Sequence, residues 1–178
     1  MKKVSLEDKS FKIFIESAKI REAIDVVSFK INNDFADSNP IFVCVLNGSF
    51  MYASDLIKRF SHNCEVTFLK VASYKGTQST GSIKELIGLN ESISDRNVII
   101  VEDIVDTGAT LEAVVKELEL LNPKSIKVST LLYKPLAYQK TIPVDYAAIE
   151  VGNEFLVGYG LDYNGLGRNL EDIYIIEE

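Results

Sequence analysis

The sequence predicts an α/β fold with a central, mainly parallel sheet flanked by helices, and three observations carry that prediction. Two apolar runs, IFVCVL (41–46) and VIIV (98–101), are continuous rather than alternating, which marks strands buried on both faces. Segments with helical spacing separate the strand-like ones between residues 41 and 133, and such alternation builds βαβ units with parallel pairing. The 178 residues suffice for one full-sized domain with a real core but not for two, so residues 1–178 read as a single domain.

The elements follow in order. Residues 11–35 place Ile13, Ile20, Ala23, Ile24, Val27, Phe29 and Ile31 among charged residues at helical spacing, which predicts one or two helices ending near DFADSNP. The strand 41–46 stops at Asn47-Gly48. Phe50, Ala53, Ile57 and Phe60 then mark a helix, with Lys58 and Arg59 near its negative end. CEVTFLKVASY (64–74) reads as a second strand. KGTQSTGS (75–82) has no apolar residue and reads as a mobile loop, and IKELIGL (83–89) as the return arm of a hairpin. After the strand at 98–101, a helix is expected from about Thr110 to Leu121, stopped by Asn122-Pro123. SIKVSTLLY (125–133), DYAAIEV (145–151) and EFLVGYGLDY (154–163) are further strand candidates.

Composition excludes several classes. The hydrophobic fraction of 47% and charged fraction of 25% suit an average soluble globular chain. No apolar run approaches the roughly 20 residues of a membrane helix, and no apolar signal-peptide core follows MKKVSLEDKS, so a cytoplasmic location without membrane contact is expected. Cys44 and Cys64 form no CxxC and have only His62 nearby, so they read as reduced thiols rather than metal ligands. A net charge of −7 argues against a nucleic-acid surface. It also means that a polyanionic ligand would need metal ions and backbone N–H groups as well as lysines.

The segment VIIVEDIVDTGATL (98–111) carries the chemistry. An apolar strand runs into Glu102, Asp103 and Asp106, then into a Thr-Gly-Ala-Thr turn that opens a helix. Ligands in open α/β sheets bind beyond the carboxyl ends of the strands. The unpaired first N–H groups of a helix suit a phosphate, with Gly108 allowing close approach and Thr107 and Thr110 adding hydroxyl donors. No lysine stands in this turn, so it is not a nucleotide P-loop. Adjacent carboxylates accept hydrogen bonds from a vicinal diol such as ribose, directly or through metal-bound water. Asp106 is placed to act on a proton. The plainer alternative, helix capping, accounts for Asp106 or Thr107 but not for Glu102 and Asp103.

This segment resembles the signature of the type I phosphoribosyltransferases, and the surrounding chain resembles their hypoxanthine-guanine branch. The resemblance runs from about Ile41 to Asn169 through VLNGSFMYASDL, SYKGTQSTG, the signature, LLYKP and EFLVGYGLDY followed by Arg168, in that order. It implies a sheet with a small hood and a flexible lid loop. It also implies transfer of a phosphoribosyl group from phosphoribosyl pyrophosphate to N9 of hypoxanthine or guanine, with Mg2+ as cofactor and a homodimer or homotetramer as the assembly.

By the same resemblance, Glu102 and Asp103 hold the ribose hydroxyls and a metal, Asp106 is the acid/base at purine N7, and Thr107, Gly108, Ala109 and Thr110 cradle the 5′-phosphate. Lys134 reaches the purine 6-oxo group, Phe155 stacks on the base and Leu156 offers backbone groups to its edge. Asp162 falls to the purine site and, through water, to a magnesium ion, while Arg168 with the backbone at Asn47 and Gly48 meets pyrophosphate. Ser73 and Tyr74 travel with the lid. Two departures stand out: Asn47 replaces a lysine common in the family, and no arginine follows Lys134 before Lys140. A xanthine-preferring enzyme and an inactive regulatory homologue are the alternatives.

Overall fold

The computed structural model of the chain describes residues 3–72, 84–87, 89 and 91–177. The elements run β1 (Lys3–Leu6), β2 (Lys9–Ile15), α1 (Ser17–Phe35), β3 (Ile41–Leu46), α2 (Phe50–Ile57), β4 (Glu65–Ala72) and β5 (Lys84–Ile87). Then follow β6 (Asn97–Val105), α3 (Ala109–Glu119), β7 (Ser125–Tyr133), β8 (Tyr146–Glu150), β9 (Leu156–Val157) and β10 (Ile173–Ile176). The lid residues Ser73 and Tyr74 and the loop 75–82 lie outside the described residues.

Six strands form the central sheet in the order β5-β4-β3-β6-β7-β8. All neighbours are parallel except β5, which returns antiparallel along β4 as a hairpin arm. The chain lays β4 and β5 on one side of β3 and then crosses to lay β6, β7 and β8 on the other. Strand order therefore reverses between β3 and β6, and the crevice beyond their carboxyl ends is where such sheets take ligands.

Both apolar runs are buried on two faces, as their lack of alternation predicted. Phe42, Cys44, Ile99 and Val101 pack under α1 and α2 with Ile20, Ile24, Val27, Ile31, Tyr52 and Leu56. Their alternate neighbours Ile41, Val43, Val45, Val98 and Ile100 pack under α3 with Leu111, Val114 and Leu118. Each face thus has its own helical layer. Cys44 and Cys64 are free thiols. Among the described residues no helix is long and apolar enough to cross a membrane.

A second, antiparallel sheet, ordered β1-β2-β10-β9, joins the two ends of the chain around Phe11, Val157 and Tyr174. Here the structure departs from the sequence reading. Residues 9–15 (KSFKIFI) are a strand, not the start of a helix: Phe11 and Ile15 are buried on the period of two, and Ile13 only mimics a helical position. One helix, α1, takes the rest, and Phe29 lies on its solvent side at 68% exposure rather than in the core. Helix α2 ends at Ile57, short of Phe60. The strand expected over 154–163 shrinks to β9, because Gly158, Tyr159 and Gly160 all adopt positive φ and turn the chain back.

The orientation of α1 is checked by a pair of substitutions. Ile24→Ala is expected to lower the unfolding free energy by about 2–5 kcal/mol, since a fully buried side chain leaves a cavity. Val26→Ala, at 57% exposure, is expected to change it by less than about 0.5 kcal/mol in the same urea titration.

Candidate active site

The crevice at the strand switch is lined from β3, β6, the turn into α3 and the segment after β9, and encloses about 340 Å³. Strand β6 does not stop before its acids. Glu102, Ile104 and Val105 remain paired with Thr130, Leu132 and Tyr133 of β7, so the carboxylates stand inside the sheet rather than beyond it. Glu102 is only 6% exposed. Asp103 rests on the backbone that follows β3: a Cβ on Gly48 would lie 1.5 Å from Asp103 Oδ2, so only glycine fits there. The Asp103 Oδ1 atom accepts the Ile104 N–H at 2.9 Å.

The turn into α3 leaves its helix end open. Gly108 occupies the N-cap position with φ +83°, and no side chain caps the helix. Asp106 is therefore not a cap, and Thr107 Oγ1 stands a long 3.5 Å from the Ala109 N–H. The first N–H groups of α3 are those a helix leaves without internal partners. Tyr138 packs behind the turn, where a Cβ on Gly108 would meet its ring at 2.5 Å. Asp106 pairs instead with Lys134, whose Nζ donates to Oδ2 at 3.0 Å. Lys134 follows β7, is 8% exposed, and donates its backbone N–H to the Val105 carbonyl at 3.0 Å.

Asp162 and Arg168 close the other side. Their side chains form an ion pair, Arg168 Nη1 donates to the Gly160 carbonyl at 2.7 Å, and Asp162 Oδ2 accepts the Gly165 N–H at 2.7 Å. Gly160 in turn sits on Gly48, where a Cβ would lie 2.0 Å from the Gly48 carbonyl oxygen.

The electrostatics are lopsided. Glu102, Asp103, Asp106 and Asp162 line the crevice against Arg168. Burial first, then the adjacent Asp103 charge, pushes the Glu102 carboxyl well above its usual range. Burial also raises the Asp103 carboxyl, although the Ile104 N–H and the Arg168 charge oppose it. Hard oxygen donors short of countercharge suit a divalent cation such as Mg2+, taken up together with oxygens of a ligand and water. Among the described residues no group of three His, Cys, Asp or Glu side chains converges to hold a metal ion by itself.

The structure thus brings Asn47, Gly48, Glu102, Asp103, Asp106, Thr107, Gly108, Ala109, Thr110, Asp162 and Arg168 into one crevice, with Lys134 joined through Asp106. Phe155 and Leu156 do not line it. Phe155 is half exposed, edge-on to Tyr163, and the Leu156 side chain is buried in the core, its residue paired with Ile175. The sequence reading did not single out Gly160 or Tyr138. Both act by packing against loops distant in sequence, which no local pattern signals.

A model of the phosphoribosyl transferase domain matches residues 15–164, a span that holds every crevice residue except Arg168. The chain belongs to this phosphoribosyl transferase domain family. Its mainly parallel sheet, flanking helices and small antiparallel hood are the type I phosphoribosyltransferase fold. Within the family, the hypoxanthine-guanine phosphoribosyltransferase of Streptococcus pneumoniae is 37% identical over 97% of each chain. The hypoxanthine-guanine-xanthine phosphoribosyltransferase of Tritrichomonas foetus is 32% identical over 100% of this chain and 98% of its own. A crystal structure of a hypoxanthine phosphoribosyltransferase from Staphylococcus aureus superposes with a TM-score of 0.88 at 34% identity, covering 93% of this chain and 91% of that one. The bifunctional TilS/HprT protein of Listeria innocua is 38% identical, and the chain spans about a quarter (27%) of its length.

The buried Glu102 generates a signed prediction for the metal-free protein. Its folded carboxyl titrates above the unfolded one, so the folded state holds the extra proton and stability falls as pH rises from the unfolded value through the folded one. In chelator-treated buffer, Glu102→Gln is expected to unfold at higher urea than wild type at pH 8, with a smaller difference at pH 5.

Proposed function

We propose that this protein is a purine-salvage enzyme that transfers the 5-phosphoribosyl group of phosphoribosyl pyrophosphate to N9 of hypoxanthine or guanine, releasing IMP or GMP and pyrophosphate. The observation that carries this reading is the 3.0 Å approach of Lys134 Nζ to Asp106, from residues 28 apart in sequence. A 6-oxopurine presents O6 and N7 side by side on one edge, close enough for a single side chain to bridge. An ammonium beside a carboxyl group matches that edge: Lys134 donates to O6, and Asp106 exchanges a proton with N7. Adenine would turn its amino donor toward the ammonium, and two facing donors are costly when buried.

The remaining roles follow the crevice. Glu102 and Asp103 take the ribose hydroxyls, and the open N-terminus of α3 with Thr107, Gly108, Ala109 and Thr110 takes the 5′-phosphate. Asn47, Gly48 and Arg168 meet pyrophosphate, while Phe155 and the Leu156 backbone, which lie outside the crevice, are given to the base by the family resemblance alone. Bound Mg2+ would neutralise the departing pyrophosphate, held at Glu102 and Asp103 and, through water, at Asp162. N9 of the base attacks the anomeric carbon as its bond to the pyrophosphate oxygen breaks, and the Asp106 carboxylate accepts the proton that leaves N7. The protein acts in the cytoplasm as one phosphoribosyltransferase domain, assembled as a homodimer or homotetramer, without nucleic acid or membrane. The xanthine named for the Tritrichomonas foetus relative makes xanthine the second base to test.

A magnesium-dependent assay with hypoxanthine, guanine, xanthine and adenine decides this reading. Turnover of hypoxanthine or guanine with adenine inert is the expected result. No turnover of any base would sink the enzyme assignment, and adenine as best substrate would remove the role given to Lys134. In the same assay Asp106→Asn is expected to lower kcat by about 10²-fold or more while KM for phosphoribosyl pyrophosphate changes little.

A further inference from the structure

The loop that carries Asp162 and Arg168 is held from two sides. Asp162 and Arg168 face the crevice, while Tyr163 and Asn164 between them are held by the turn that joins β1 to β2. Tyr163 Oη donates to Asp8 Oδ1 at 2.7 Å, and Asn164 Nδ2 donates to Glu7 Oε2 at 2.7 Å. Leu6 closes the contact, since a Cβ on Gly167 would stand 2.9 Å from Leu6 Cδ1. The Tyr163 ring also lies against Phe11 of β2 at 5.8 Å between centroids and edge-on to Phe155 at 6.0 Å. One tyrosine therefore links the N-terminal hairpin to Phe155 and to the loop between Asp162 and Arg168.

The loop turns through Asn164, Gly165 and Gly167 at positive φ, which glycine and asparagine adopt readily, and Glu7 opposite them has positive φ too. For a residue such as Glu7 that conformation persists where the surroundings hold it. Both bonds from the hairpin are charge-assisted, with a carboxylate as acceptor. The Tyr163 hydroxyl bond is the leading cause that holds the Asp8 carboxyl below its usual range, and the same bond pushes the Tyr163 hydroxyl up. Residues 7 and 8 lie upstream of the 15–164 span that defines the family.

We propose that the Glu7–Asp8 turn positions the crevice: through Tyr163 and Asn164 it sets Asp162 and Arg168. The role toward substrate rests on the reading above, in which that loop meets pyrophosphate. A small misplacement of a binding group is costly to ligand recognition, whereas exposed polar contacts of this sort add little to global stability. Positioning and stability therefore separate in an experiment.

The variants are Tyr163→Phe, which keeps the ring, Asp8→Ala, and the double substitution. Amide hydrogen exchange at Gly165 and Leu166 reads the tie, and steady-state kinetics read its use. Expected are faster exchange at both amides and a KM for phosphoribosyl pyrophosphate raised about three- to tenfold, with kcat within about twofold. The melting temperature should stay unchanged, and the double variant should be no worse than either single one. Unchanged exchange overturns the proposal, and so does faster exchange with an unchanged KM. If wild type turns over no base, the enzyme reading falls, and the exchange measurement alone still judges the tie.

Discussion

The structure depends on a pair of carboxylates buried in the middle of a parallel sheet. Glu102 and Asp103 follow four apolar residues on β6, and pairing with β7 continues past them to Val105. Water does not solvate Glu102 there, so its negative charge requires partners. The chain around the pair is shaped accordingly. Gly48 leaves room for the Asp103 oxygens, Gly160 lets the turn after β9 reach the Gly48 carbonyl, and Arg168 brings positive charge within reach of Asp103. A side chain at either glycine would collide with the atoms that complete the site.

The same shortage of positive charge explains how the cations are arranged. Lys134 and Arg168 are each held by an acid, Asp106 and Asp162 respectively. In a chain of net charge −7 this keeps the ammonium and guanidinium in place rather than extended into solvent. On the proposed reading, substrate exchanges these internal partners for its own: a purine edge slips between Lys134 and Asp106, and pyrophosphate competes with Asp162 for Arg168. Arg168 then trades one anion for another, whereas the neutral purine offers Lys134 and Asp106 one hydrogen bond each in place of their ion pair.

The second sheet shows why the two ends of the chain belong to the site. Strands β1 and β2 open the sequence, β9 and β10 close it, and contacts such as Tyr163 with Asp8 join residues 155 apart. This sheet packs Phe11, Val157 and Tyr174 together and carries the Asp162–Arg168 loop at its margin. Asp172 adds a tie to the main body by accepting the Ser17 N–H at the start of α1 at 2.8 Å. The small sheet, the first helix and the crevice are therefore mechanically connected.

Much of this was determined by sequence alone. Continuous apolar runs at 41–46 and 98–101 specified strands buried on both faces, and the acid-rich turn after the second run marked the crevice, because residue type and short-range spacing carry that information. Tertiary structure decided the rest. It made KSFKIFI a strand, since its partners β1 and β10 pair with it only after the chain ends meet, and the alternating period of seven residues is easily absorbed into a neighbouring helix pattern. It placed Glu102 and Asp103 within the sheet by extending β6 along β7. It gave Asp106 a lysine instead of a helix to cap, because Lys134 is carried to that spot by the parallel register of β6 and β7 and by nothing local to either residue.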